Sequence, residues 1–124
     1  MSFQLDIHTI MTTDTSLNNL VEDVCFEVLP ENYDITKDWV VYSFKKNAEV
    51  DCLKGSAYAN YSVYIRILSP DTVKINMLGD YIQELVDDSS SGGIYDIEFV
   101  GDNHGVDLDK GQYSIVLEFL AIYI

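Results

Sequence analysis

The segment YSVYIRILSPDTVKINMLGDYIQELV, residues 61–86, decides the fold, because its periodicity changes once, at Pro70. Before the proline, Tyr61, Val63, Ile65 and Ile67 alternate with Ser62, Tyr64, Arg66 and Leu68, which is the period of a strand with one face in a core. After it, Asp71 is placed to accept the first backbone N–H groups of a helix. Val73, Met77, Leu78, Tyr81, Ile82, Leu85 and Val86 then fall on one apolar stripe. A strand followed at once by an amphipathic helix requires a layered core in which helix covers sheet. The stripe is aliphatic apart from Tyr81 and reads as packing surface rather than as a cofactor box.

Working outward, WVVYSF (39–44) is a run of β-branched and aromatic residues and predicts a second strand. Between the two strands, residues 45–60 are polar, rich in Lys and broken by Gly55. This stretch reads as a linker too long for a tight turn, mobile in the free chain for want of apolar contacts and ordered on assembly. At the start, Phe3, Ile7, Ile10 and Met11 fit a helical face. Asp14, Thr15 and Ser16 offer an N-cap for a second helical stretch carrying Leu17, Leu20, Val21 and Val24, ended by Pro30, Glu31 and Asn32. Downstream of the central helix, 87–93 is a Ser- and Gly-rich loop, 94–100 a strand, and 101–111 a Gly- and Asp-rich turn. Residues 113–124 are nearly continuous β-formers, and this closing strand is expected to be paired on both sides or covered. The reading is one domain over residues 1–124, α+β in class. Its mixed, mainly antiparallel sheet carries helices on one face, in the order α, β, β, α, β, β. The expected helical regions are 3–24 and 72–87; the strands lie near 39–44, 61–68, 94–100 and 113–123.

Charge is the strongest bias. The 124 residues hold 21 Asp and Glu against seven Lys and Arg, a net charge of −14, while 48% hydrophobic content is enough to bury a core. So negative a surface repels bare nucleic acid and anionic lipid, which excludes a general DNA binder or a lipid-surface protein. The seven bases are not scattered: six lie between Lys37 and Lys74, while 1–36 contains none and 79–124 only Lys110. This layout suits two different contact surfaces on one small domain. Lys45, Lys46 and Lys54 are the candidate contacts to acids of a neighbouring copy, with Trp39, Tyr58 or the closing strand supplying apolar burial.

No catalytic constellation assembles. There is no phosphate-cradling Gly loop, no nucleophile elbow, and neither His8 nor His104 stands at metal-ligand spacing from another His or Cys. The expectation is a protein that is not an enzyme and carries no cofactor or metal. His8 reads as a solvated surface histidine. Cys25 and Cys52 lack metal or redox spacing and read as small apolar residues. Asp102, Asn103, His104, Asp107 and Asp109 crowd oxygens into one stretch, but no Glu closes a calcium loop there, and the same residues favour a β-turn. Tyr42, Tyr61, Tyr64, Tyr95, Tyr113 and Tyr123 fall in expected strands without the positive charge a base-stacking platform needs. No apolar run approaches the ~18 residues of a membrane span, and the first base is Lys37, so a secretory n-region is not expected.

The order of these elements resembles the tail terminator, or tail-completion, family of long-tailed bacteriophages. The parts that carry the resemblance are the N-terminal helical stretches ending near Pro30, DWVVYSF (38–44), the link ending DCLKG (51–55), YSVYIRIL (61–68), VKINMLGDYIQELV (73–86) and GQYSIVLEFLAIYI (111–124). The resemblance implies a hexameric ring that caps the tail tube, stops its polymerisation and offers its other face to a head completion or connector protein; the tail tube is then the alternative to a neighbouring copy as the partner of Lys45, Lys46, Lys54, Trp39 and Tyr58. It implies a place in the virion at the head-proximal end of the tail, the host cytoplasm during assembly, and DNA passing through the ring without specific binding. An acidic DNA-mimic inhibitor of a nucleic-acid-binding host protein is the reading from another class. Such a mimic needs a continuous acidic face, which Lys45, Lys46, Lys54, Arg66 and Lys74 interrupt.

Overall fold

The computed structural model of the chain describes residues 3–13, 15–51, 57–87, 89, 90 and 92–124, and the side chains of these except 15, 48–51, 57 and 58. The elements are α1 (Phe3–Thr12), α2 (Thr15–Leu20), β1 (Asp23–Phe26), β2 (Trp39–Asp51), β3 (Ala57–Ser69), α3 (Thr72–Val86), β4 (Ile94–Asp107) and β5 (Gln112–Tyr123). The five strands form one sheet in the order β1-β2-β3-β5-β4. β1 lies parallel to β2 and every other pairing is antiparallel. The α+β class, the mixed and mainly antiparallel sheet, and the closing strand paired on both sides are as the sequence predicts.

The core sits between the sheet and its helices. Alternation places Val40 and Tyr42 of β2, Val63, Ile65 and Ile67 of β3, and Ile115, Leu117 and Phe119 of β5 on one face, all buried. α3 closes over them, capped by Asp71, whose carboxylate accepts from the backbone N–H groups of Val73 and Lys74. α3 buries Ile75, Leu78, Gly79, Ile82 and Val86 and leaves Val73 and Met77 exposed, so the expected stripe is rotated toward Ile75. Gly79 admits the close approach of Ile115, whose methyl lies 3.4 Å from where a Cβ would stand. α1 packs beside α3 with Phe3, Ile7, Ile10 and Met11 inward. Phe3 stacks on Tyr61, ring centroids 3.9 Å apart, and meets Phe44 and Tyr123 edge-on.

Three expectations are corrected. The helical region does not reach Val24: α2 ends at Leu20, and Asp23–Phe26 is a short strand in register with Trp39–Tyr42. Residues 27–38 then return the chain, about the dozen that a parallel connection needs. They are held by Trp39, which donates its indole N–H to the Asp34 carbonyl at 2.8 Å, and by Tyr33, whose hydroxyl donates to Gln112. Second, residues 45–51 and 57–60 are not a linker but the distal parts of β2 and β3, paired as far as Asp51 opposite Ala57. A bulge at Asn47 interrupts the ladder, and its amide donates to Ser62 at 2.7 Å. The remainder of that expected linker, 52–56, with Cys52 and Gly55, lies outside the described residues. Third, the expected turn at 101–111 is strand as far as Asp107. Only 108–111 turn, with Gly111 at φ +62° and the Asp107 carboxylate accepting from the N–H groups of Asp109 and Lys110.

Candidate interaction surfaces

Because α1 and α3 cover one face of the sheet, the alternate residues of β2, β3 and β5 make a second face that no helix among the described residues covers. Register assembles it in rows running β2, β3, β5, β4. These are Val41, Arg66, Val116 and Asn103; then Ser43, Tyr64, Glu118 and Gly101; then Lys45, Ser62, Leu120 and Glu98. Its centre is half-buried and apolar around Val41 and Val116, and Arg66 rises from it exposed. Among the described residues Arg66 has no ion-pair partner. One signal in the sequence points to Arg66: it is the one charged residue of YSVYIRIL and takes the polar phase of the alternation.

Beside Arg66 the crossover loop and the β4–β5 turn raise walls around a depression lined by Tyr33, Leu68, Lys110, Gln112 and Ser114. Lys110 lies over the Tyr33 ring, 5.8 Å from its centroid. The Gln112 side chain is buried, and its Nε2 has no hydrogen-bond partner among the described residues. Arg66, Lys110 and Gln112 therefore offer donors, and the chemistry they suit is a carboxylate or carbonyl acceptor on a partner.

The sheet also has open edges. β1 covers β2 only from Trp39 to Tyr42, so among the described residues no strand pairs with the outer edge of β2 from Ser43 onward, nor with the outer edge of β4. Bulges interrupt β4 at Tyr95 and Val100, and both side chains are exposed, 70% and 57%. The β4 edge carries Asp96, Glu98, Asp102 and Asp107 and no Lys or Arg.

The predicted contact residues separate on this frame. Lys45 is exposed on the free edge of β2 and on the uncovered face, and Lys46 is the next exposed residue along that edge. Trp39 is 6% exposed and belongs to the interior, so it offers a partner almost no surface. Tyr58 pairs through its backbone with Val50, and Lys54 lies outside the described residues. His8, expected at the solvent, is half-buried with Nδ1 2.9 Å from the Tyr42 hydroxyl. The same burial pushes the Tyr42 phenol above its ordinary pKa. Cys25 is half-buried, and burial first, then Asp23, raises its thiol. His104 is exposed, 3.2 Å from the Asp102 carboxylate. Among the described residues no three His, Cys, Asp or Glu converge in a metal-binding group, and no helix is long and apolar enough to cross a membrane.

No model of a known protein family matches the chain, and no curated protein matches it. A solved structure does: a chain of the virion of a native gene transfer agent particle. It superposes with a TM-score of 0.77 at 15% identity, over 98% of this chain and 94% of that one. The two chains share a fold along nearly their whole lengths.

Proposed function

We propose that this chain is a structural component of a phage-like virion and, within it, the tail terminator. In this reading six copies form a ring that caps the tail tube, stops its polymerisation and presents its other face to a head completion or connector protein. The observation that carries the reading is the likeness of fold, end to end, to a chain of a gene transfer agent virion. At 15% identity the role comes over by analogy of fold, and the surfaces of this chain support it. The sheet face left uncovered and the β2 and β4 edges left open, wholly or in part, among the described residues are what a subunit of a closed assembly leaves for its neighbours. The protein then works by contact and not by catalysis, needs no cofactor, and resides at the head-proximal end of the tail after assembling in the host cytoplasm. With −14 on each copy, a ring repels DNA passing through it and does not bind it. The DNA-mimic reading is weaker, because exposed Lys45 and Arg66 break the negative field on the uncovered face.

The test is native mass spectrometry of the purified protein, followed by its addition to polymerising tail-tube protein. A sixfold multiple of the subunit mass, with tubes that stop growing in proportion to added protein, supports the reading. A chain that stays monomeric with and without tubes, and leaves tube length unchanged, contradicts it.

A further inference from the structure

We infer that neighbouring copies of this chain join edge to edge, the free part of β2 in one copy lying antiparallel beside β4 of the next, with Lys45 opposite Glu98. The inference rests on the ring reading above and names the interface that would close it. Its first support is direction. β2 runs antiparallel to β3, β3 to β5 and β5 to β4, so β2 and β4 point opposite ways on the two sides of one subunit. A second copy related by rotation about an axis along the strands therefore presents its β2 antiparallel to the first copy's β4, and a regular ladder can form. This contact is heterologous and closes when the rotation divides a full turn.

The second support is level. Lys45, Ser62, Leu120 and Glu98 occupy one row, and Ala48, Asn60, Ile122 and Asp96 another. The uncovered length of β2 therefore starts at the height of the first half of β4, and a rotation without large axial slip sets Lys45 against Glu98. The third is charge and exposure. The β4 edge has four carboxylates and no base, so two β4 edges repel, and it bears exposed Tyr95 and Val100 that an adjoining strand would cover. On the opposite edge Lys45 and Lys46 come first, and Glu49 and Asp51 follow toward the hairpin end. An unpaired edge that is long and partly apolar is otherwise a liability for uncontrolled pairing.

The test uses the full chain as wild type, as Lys45→Glu, as Glu98→Lys, and as an equimolar mixture of the two variants, at low ionic strength with assembly read by native mass. Each variant alone sets like charge against like and is expected to raise the concentration needed for assembly about fivefold or more. In the mixture a ring in which the two variants alternate regains an opposite pair at every junction, and assembly returns toward wild type. Amide exchange on the wild type should slow on assembly at 43–47 and 94–101. Lys45 and Glu98 are both exposed, and cooperative unfolding of each variant checks that the monomer is intact. Variants that each assemble as wild type does, or a mixture that does not recover, overturn the edge pairing while the ring stands. A dimer indifferent to Glu98→Lys overturns it too, in favour of β2 pairing with its own copy. A wild-type chain that remains monomeric with and without tubes refutes the ring reading itself and the edge pairing with it.

Discussion

Lys45 and Glu98 end the same row of the sheet from opposite free edges, separated by Ser62 and Leu120 and so by three strand spacings, roughly 14 Å. They are too far apart to pair within the subunit. The layout instead gives the subunit two unlike sides, one starting with Lys45 and Lys46 and one carrying four carboxylates and no Lys or Arg, and unlike sides are what head-to-tail association requires.

Salt dependence follows from that layout. Reversing Lys45, Lys46 and Lys54 together to Glu should slow assembly or tube capping more at low than at high ionic strength, because exposed charge pairs mainly steer the encounter and are screened. Each pair contributes at most about 1 kcal/mol. Assembly rates over a salt series check this, with the monomer's unfolding midpoint as control.

The Asp6 carboxylate, buried in α1, accepts from the Gly93 N–H at 3.1 Å and occupies the space where a Cβ at Gly92 would go. Gly92 is also at φ +55°, in the left-handed region. Gly92→Ala should therefore destabilise by more than the ~1 kcal/mol of an ordinary glycine replacement, and Asp6→Ala by about 1–3 kcal/mol through the orphaned N–H. Urea denaturation of both variants measures it.

The interior between sheet and helix should be sensitive to lost volume. Leu78→Ala and Ile65→Ala each remove a fully buried side chain from that layer and should cost about 2–5 kcal/mol. Asp71→Ala, which removes only the N-cap of α3, should cost about 1 kcal/mol. The contrast is read in one set of denaturant midpoints.

High pH should weaken the fold through two tyrosines. Burial raises the pKa of Tyr42 and of Tyr123, and for Tyr123 the hydrogen bond to Asp6 adds to it. A phenol that holds its proton more tightly when folded contributes fully below about pH 10 and loses that contribution as pH rises through the raised value. Stability should therefore fall between about pH 10 and the raised values, and Tyr42→Phe should flatten the fall. Denaturant unfolding at pH 8 and above pH 10, with ultraviolet titration of the phenols, checks the sign.

The parts of the fold visible in the sequence are those with one buried face. Tyr61–Leu68 alternates because Val63, Ile65 and Ile67 face the helices, and residues 72–86 show a stripe because α3 lies on that sheet. Residues 101–107 are strand with no buried side chain on either face, held by backbone pairing to β5, so they carry no alternation to read. The distal half of β2 was missed for its polar composition, and β1 because four residues joined to β2 by tertiary pairing leave a pattern that also fits a helix. Lys45 stood out as one of few bases. Glu98 did not, because its place opposite Leu120 depends on bulges at Tyr95 and Val100 that set the register of β4.

The central claim is a structural place in a phage-like virion, and the most direct measurement is immunogold electron microscopy of particles from the producing cells, the chain carrying an epitope tag. Label is expected at a single level, where the tail meets the head, and tails of uncontrolled length when the chain is deleted. Particles that carry no label and keep normal tails without the chain would contradict it.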